Sequence, residues 1–347
     1  MLAFSSETFA PVAGCLLERR CPIIVGVAMK TLLVFACLVA PAAAADYDPL
    51  LVDDAKIEKV ELTVKDAKRS RELPILIYLP KDKKPAAVVL CSHGLGGTRK
   101  VCAYLSEHWA KRGYVGVFLQ HPGSDDSVWK DTPIAQRMAA MKKAAGFDNF
   151  MLRVADVPAV LDQLEQWNGS KDHALSGRMD LKHIGMSGHS FGANTTQAVS
   201  GQSYPIGKGF TDLRIKAAAM MSPAVPARGD AAKSFGNVKI PWLLLTGTHD
   251  TSPIGEADMK ARLAVYPALP TGDKFELVLD KAEHSAFTEV PLPGEKEKRN
   301  PNHHKAILAV TTAFWDAYLR DDAAAKSWIA GDKVRGVLEK ADRWQTK

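Results

Sequence analysis

The sequence predicts an α/β fold: a doubly wound, mostly parallel sheet with an antiparallel pair of strands at its N-terminal end. Three observations lead there. Short continuous apolar runs, suited to strands buried on both faces, alternate with longer stretches of helical periodicity. Ahead of them Lys59-Val60-Glu61-Leu62-Thr63-Val64 alternates polar and apolar, the pattern of a half-exposed strand. The 347 residues are 46% apolar and 24% charged, enough to bury a large core, and no repeat or low-complexity tract suggests another architecture.

Leu73 to Leu79 is the second strand, pairing with the first. Ala86 to Leu90 gives the first buried strand, Val101 to Arg112 a helix, Val115 to Leu119 the next strand, and Phe150 to Trp167 a long amphipathic helix. The run His183-Ile184-Gly185-Met186-Ser187 then enters Gly188-His189-Ser190-Phe191-Gly192, and a helix-compatible stretch follows from Ala193 to Val199. Ile215 to Met221, Trp242 to Thr246 and Phe275 to Leu279 are further strands, and a helix near Ala306 to Leu319 closes the fold.

Ahead of this domain, Met29-Lys30 precedes an apolar run from Thr31 to Val39 and then Pro41-Ala42-Ala43-Ala44-Ala45, the three parts of a secretory signal peptide. The expected organisation is an upstream extension at 1–28, a signal peptide at 29–45 and one domain at 46–347, secreted or periplasmic. The apolar run is far shorter than the roughly 20 residues that span a bilayer, so stable membrane insertion is not expected. The net charge of +6 is spread along the chain, with no basic cluster interleaved with aromatics, which argues against nucleic acid as a partner. Cys15, Cys21 and Cys37 lie ahead of Asp46. Cys91 and Cys102 remain, either paired across the first strand–helix unit in an oxidising compartment or buried as free thiols. Their spacing suits no zinc site.

Ligands of doubly wound sheets bind beyond the carboxyl ends of the strands, so the loops after the apolar runs hold the candidate chemistry. The pentapeptide around Ser190 has the form of a nucleophile elbow, in which a sharp strand-to-helix turn presents the serine and flanking glycines remove the Cβ atoms that would collide. A serine hydroxyl needs a base within hydrogen-bond reach, itself oriented by a carboxylate. His284 follows the last strand and Asp250 the one before it, giving the order serine, acid, histidine. Glu283 and His249 are the rivals: the first sits beside the base on one loop, the second precedes the acid. The oxyanion donors expected of such a site are the backbone amides of Phe191 and of Leu95, in Ser92-His93-Gly94-Leu95-Gly96-Gly97.

Two stretches bear on the substrate. Trp129, in the loop after Leu119, and His189 are expected to line the acyl or alcohol pocket. Ile134, Met138 and Met141 share one face of the stretch Pro133 to Ala145, a stripe that reads first as core and second as a cap over the site. Asn302-His303-His304 is assigned to the start of the closing helix, since adjacent histidines do not face one metal from a helix.

Ser92-His93-Gly94-Leu95-Gly96 together with Gly188-His189-Ser190-Phe191-Gly192 resembles the α/β-hydrolase group of platelet-activating-factor acetylhydrolases and bacterial dienelactone-hydrolase-like proteins, over most of residues 55–320. The resemblance implies an α/β-hydrolase fold and a serine carboxylester hydrolase without metal or organic cofactor. The chain departs from dienelactone hydrolases in carrying Ser190 where they have a cysteine. It departs from the animal acetylhydrolases in reading Met221-Ser222-Pro223 where they carry the acid. Asp250 resembles the acid position of cutinase-like polyester hydrolases, which share the Gly-His-Ser elbow. The expectation is an exported esterase acting on small or short-chain esters. The alternatives are a polyesterase or lipase and, from another class, a non-catalytic binding protein on the same fold.

Overall fold

The computed structural model describes residues 46–205, 209–252, 254–255 and 258–347. The expected extension, the signal peptide, and with them Cys15, Cys21 and Cys37, lie outside the described residues. Two antiparallel strands open the chain, β1 (Glu58–Asp66) and β2 (Arg71–Leu79), with Val60 opposite Ile77 and Lys65 opposite Glu72. They join a nine-stranded sheet with β3 (Ala86–Ser92), β4 (Val115–Leu119), β5 (Met179–His189), β6 (Ile215–Met221), β7 (Trp242–His249), β8 (Lys274–Glu283) and β9 (Arg343–Thr346). The order across the sheet is β1-β2-β4-β3-β5-β6-β7-β8-β9. The six strands from β4 to β8 pair in parallel, and β1, β2 and β9 run antiparallel at the two edges.

Period-two patterning sorts the strand side chains between two layers. On one face Leu76, Tyr78, Val89, Ala219 and Leu277 pack against α1 (Ala103–Arg112), α9 (Pro301–Leu319) and α10 (Ala323–Ala330), where Trp109, Phe314 and Trp315 fill the core. On the other, Ile75, Ile77, Val88, Leu90, Val117 and Met186 meet Val157, Val160, Leu161 and Leu164 of α4 (Phe147–Gly169). That same face continues over α5 (Phe191–Val199), α6 (Ala231–Phe235), α7 (Met259–Leu263) and α8 (Val265–Ala268), with Phe235, Trp242 and Val265 in a third cluster. Both faces are therefore covered, which is why the central strands carry apolar side chains at successive positions.

The mixed α/β sheet and its parallel core match the expectation from sequence, with three differences. The first helix begins at Ala103, because Cys102 takes a left-handed conformation at φ 64°. β8 runs on to Glu283, and α10 and β9 extend the fold past the helix expected to close it. The stripe Ile134, Met138, Met141 lies on α3 (Ile134–Ala144), preceded by the short α2 (Ser127–Lys130). Ile134 is 82% and Met138 48% exposed, so the stripe is not core. No helix among the described residues is long and apolar enough to cross a membrane.

Candidate active site

Ser190 stands between β5 and α5 at φ 56° and ψ −115°, a strained conformation for a residue with a side chain. Its neighbours make that turn possible. A Cβ added at Gly188 would lie 2.3 Å from the carbonyl oxygen of Gly192, and one added at Gly192 would lie 1.9 Å from that of Ser92. Only glycine fits either position. The Ser190 amide donates to Met221 O at 2.9 Å, tying the turn to the end of β6.

The other two candidates arrive from adjacent strands. His249 of β7 pairs with Glu283 of β8, and the next residues in each chain segment are Asp250 and His284. The approach depends on Gly247, where a Cβ would lie 2.1 Å from Ala282 O. His284 Nδ1 donates to Asp250 Oδ1 at 2.6 Å, and His284 Nε2 lies 2.8 Å from Ser190 Oγ, which donates to it. Asp250 Oδ2 accepts from Thr246 Oγ1 at 2.8 Å. Burial opposes ionisation of Asp250, but the hydrogen bond from His284 and the nearby charges outweigh it and hold the carboxyl at about 2. Asp250 is thus an anion fixed on both oxygens, able to hold one imidazole tautomer and one ring orientation. Glu283 instead accepts the amides of Lys296 and Glu297, and His249 faces Glu297 in solvent.

Sequence reasoning missed Arg262. It is buried in α7, donates from Nε to Asp250 O at 2.6 Å and from Nη1 to Ser222 O at 2.7 Å. Nothing in Asp258-Met259-Lys260-Ala261-Arg262 distinguishes it from a solvated helix arginine, so only the fold reveals it.

Leu95 lies in the loop between β3 and α1, against the elbow: a Cβ on Gly94 would come 3.6 Å from Ser190 Cβ. The flanking amides are bonded, Gly96 N to Ser124 O at 2.9 Å and Gly97 N to Gly94 O at 3.1 Å. The amides of Leu95 and Phe191 make no hydrogen bond among the described residues. Both residues line the cleft that contains Ser190 and His284. Two such donors beside the Ser190 hydroxyl could hold a tetrahedral oxyanion.

Of the two expected pocket residues, Trp129 lines the cleft, with its indole N–H donating to Gly96 O at 2.8 Å, so it also pins the loop that carries Leu95. His189 faces the cleft as well, but its Nε2–H donates to His284 O at 3.0 Å. Burial, with the neighbouring His284, pushes His189 down to about 3, so the ring is neutral, and it holds the backbone of His284. The cleft has a volume of about 1480 Å³. Its walls include Met141, Phe147, Phe150, Tyr204, Val225 and Val290, predominantly apolar side chains.

Cys91 and Cys102 are free and buried, which leaves the thiol alternative of the two. His303 and His304 sit in the first turn of α9, where His303 Nε2 is bonded to Asp280 O and His304 Nε2 to Thr288 O. Among the described residues no group of three or more His, Cys, Asp or Glu is placed to hold a metal ion. No family model matches the chain, and no curated protein matches it.

Proposed function

We propose that the protein is a serine hydrolase of carboxylic esters built on an α/β-hydrolase fold, exported if the segment 29–45 acts as the signal peptide its sequence describes. The observation that supports this reading most is the unbroken chain Ser190 Oγ to His284 Nε2 at 2.8 Å and His284 Nδ1 to Asp250 Oδ1 at 2.6 Å, opening onto a cleft. The elbow at Ser190, the acid-before-histidine order and an oxyanion donor between β3 and the following helix are features of that fold.

In the proposed cycle Ser190 Oγ attacks the acyl carbon while His284 Nε2 takes its proton. The carbonyl oxygen becomes an oxyanion facing the Leu95 and Phe191 amides, a contact in which each donor contributes about 2.7–4 kcal/mol in such sites. His284 returns the proton to the departing alcohol, and water repeats the sequence on the acyl-enzyme. The test is labelling by a fluorophosphonate probe together with p-nitrophenyl acetate and butyrate hydrolysis. Ser190→Ala is expected to abolish both while leaving the circular dichroism spectrum unchanged. Hydrolysis that survives in this variant overturns the assignment, and a wild-type protein that neither labels nor hydrolyses supports a binding protein on this fold.

A second reading, a polyesterase or lipase, is favoured by the cleft itself. At about 1480 Å³ it exceeds what a short-chain ester fills. Its lining includes exposed apolar side chains, Phe147 and Val290, each 71% exposed. A series of p-nitrophenyl esters of increasing acyl length and a polyester film-clearing assay separate the two: falling kcat/KM beyond butyrate supports the small-ester enzyme, and a rise with film clearing supports the polyesterase.

A further inference from the structure

Behind the loop that carries Leu95 lies a second set of polar side chains, sealed from solvent, that the proposed chemistry does not use. Ser92 Oγ donates to His121 Nε2 at 2.9 Å, and His121 Nδ1 donates to Asp156 Oδ2 at 2.9 Å. The connectivity repeats that of Ser190, His284 and Asp250. All three residues are fully buried and none lines the cleft, so no substrate reaches them. Asp156 in turn accepts two hydrogen bonds from Arg71, at 2.8 and 3.0 Å, and one from Arg69 at 2.8 Å.

This set ends on the peptide that presents the oxyanion donor. Gly94 C=O and Leu95 N–H belong to one planar unit, so whatever fixes the oxygen fixes the direction of the N–H. Gly94 O accepts from His93 Nδ1 at 2.6 Å and from Gly97 N at 3.1 Å. His93 Nε2 accepts the His121 amide at 3.0 Å. That contact decides the tautomer: a ring nitrogen that accepts an N–H carries no proton of its own, so the proton of the neutral ring sits on Nδ1, where Gly94 O needs it. The neighbouring Arg153, fully buried, donates to His93 O, to Ser92 Oγ at 3.1 Å and to Ser124 Oγ at 3.0 Å. The same guanidinium lies 4.6 Å from the ring centroid of Phe191, the residue that supplies the other amide. One buried network therefore touches the supports of both donors.

We propose that His93 is a positioning residue for the oxyanion donor at Leu95, locked in its Nδ1–H tautomer by the His121 amide and anchored by the Ser92–His121–Asp156 relay and Arg153. The proposal rests on the ester-hydrolase reading. It adds that the donor geometry is set by a side-chain proton pointing at Gly94 O, on the side of the loop away from the substrate.

The test compares wild type, His93→Phe and His93→Asn on p-nitrophenyl butyrate, with the affinity of an alkyl boronic acid that forms a tetrahedral adduct on the serine. Phenylalanine keeps the ring and removes the donor, whereas asparagine places an N–H near the position of Nδ1. His93→Phe is expected to lower kcat about 10- to 100-fold with KM changed less than about threefold, since a misdirected donor loses up to the effect of an absent one. Boronate affinity falls in parallel, and His93→Asn recovers most of both. Equal kcat in wild type and His93→Phe overturns the proposal. So does a loss that asparagine fails to rescue while its melting temperature matches wild type, because the ring would then act only by filling space. If His93→Phe does not fold, His93→Asn decides through boronate affinity: near-wild-type binding supports the proposal and a 10-fold loss overturns it. A wild-type protein without hydrolysis or fluorophosphonate labelling is a separate result, which removes the ester-hydrolase reading itself.

Discussion

Arg262 grips Asp250 by both its main chain and its side chain: Nε donates to Asp250 O at 2.6 Å and lies 3.1 Å from Oδ1. The same guanidinium places Nη2 3.2 Å from His284 Nδ1. Since Nδ1 carries the proton donated to Asp250, it is His284 Nδ1 and Arg262 Nε that meet on the same carboxylate oxygen, Oδ1. Asp250 thus sits between two cationic or proton-bearing partners, and its position depends on an arginine from a helix nine residues further along.

Replacing Arg262 by methionine keeps the stem and removes the charge. It leaves the carbonyls of Asp250 and Ser222 buried without a donor and the Asp250 carboxylate without its cation, a change that costs about 3–5 kcal/mol when a buried ion pair loses one partner. Urea unfolding measures this, and a variant within about 1 kcal/mol of wild type contradicts the role given to Arg262. Ester turnover is expected to drop with it, as Asp250 shifts.

Asp250→Asn retains the shape and loses the charge. An NH₂ group facing His284 meets only an unprotonated Nδ1, which moves the ring proton to Nε2 and removes the acceptor for Ser190. An NH₂ group facing Thr246 is accepted by the hydroxyl, and His284 then meets a neutral oxygen in place of an anion. A fall in kcat of about 10⁴-fold at neutral pH, with the fold retained, is expected. A loss below about tenfold in steady-state assays shows that another group orients the ring.

The glycines of the elbow have no substitute. Gly192→Ala drives a Cβ to 1.9 Å from Ser92 O, on backbone at the end of β3 that cannot retreat, and is expected to exceed about 4 kcal/mol of destabilisation or to prevent folding. Gly336→Ala, with nothing within 4 Å of the added atom, serves as the control. Equal expression and melting temperatures for the two variants contradict the steric account.

Stability is expected to fall on acidification well before carboxylates titrate. His121 is held at about 4, by burial and then by Arg153, and His189 at about 3. An unfolded chain binds protons on these rings near the ordinary histidine value of about 6.5. Below that pH the unfolded state takes up more protons than the folded one, so each ring costs about 1.4 kcal/mol per pH unit until its folded value is reached. Asp156, brought to about 2 against burial by His121 and Arg71, acts lower in the scale. Its contribution is complete above about 3.9 and is lost as the pH falls through about 2. Urea midpoints recorded from pH 7.5 to 4 are expected to be level above about 7 and to drop steeply below 6.5. A flat series contradicts the buried neutral histidines.

Much of this arrangement was legible in residue order. The elbow announces itself because two glycines and a serine at fixed spacing have a steric reason, and Asp250 and His284 follow because each stands just past an apolar run that only a parallel strand explains. Leu95 is legible for the same reason. Arg262, Thr246 and the Arg153–Asp156 network were not, since helix arginines and aspartates at those spacings look the same whether they face solvent or the interior. Burial is a property of the assembled layers, and α4 hides Arg153 and Asp156 only because it packs over β3 and β4. The α3 stripe failed in the opposite sense: Ile134 and Met138 have core character and remain outside. His189 lines the cleft, as its position beside Ser190 suggests, whereas the bond from its ring to the backbone of His284 shows only in the fold.

Gly247 has a mechanical consequence. By letting β7 and β8 close upon each other just before Asp250 and His284, it makes acid and base a single jaw, while Ser190 hangs from β5 with β6 between them and forms the other. A twist or shear of the sheet therefore changes the separation of serine and histidine and leaves the histidine–aspartate bond alone. Asp250 and His284 form a self-contained unit, and the gap that a shear alters is the one between that unit and Ser190, where the proposed chemistry places the acyl group.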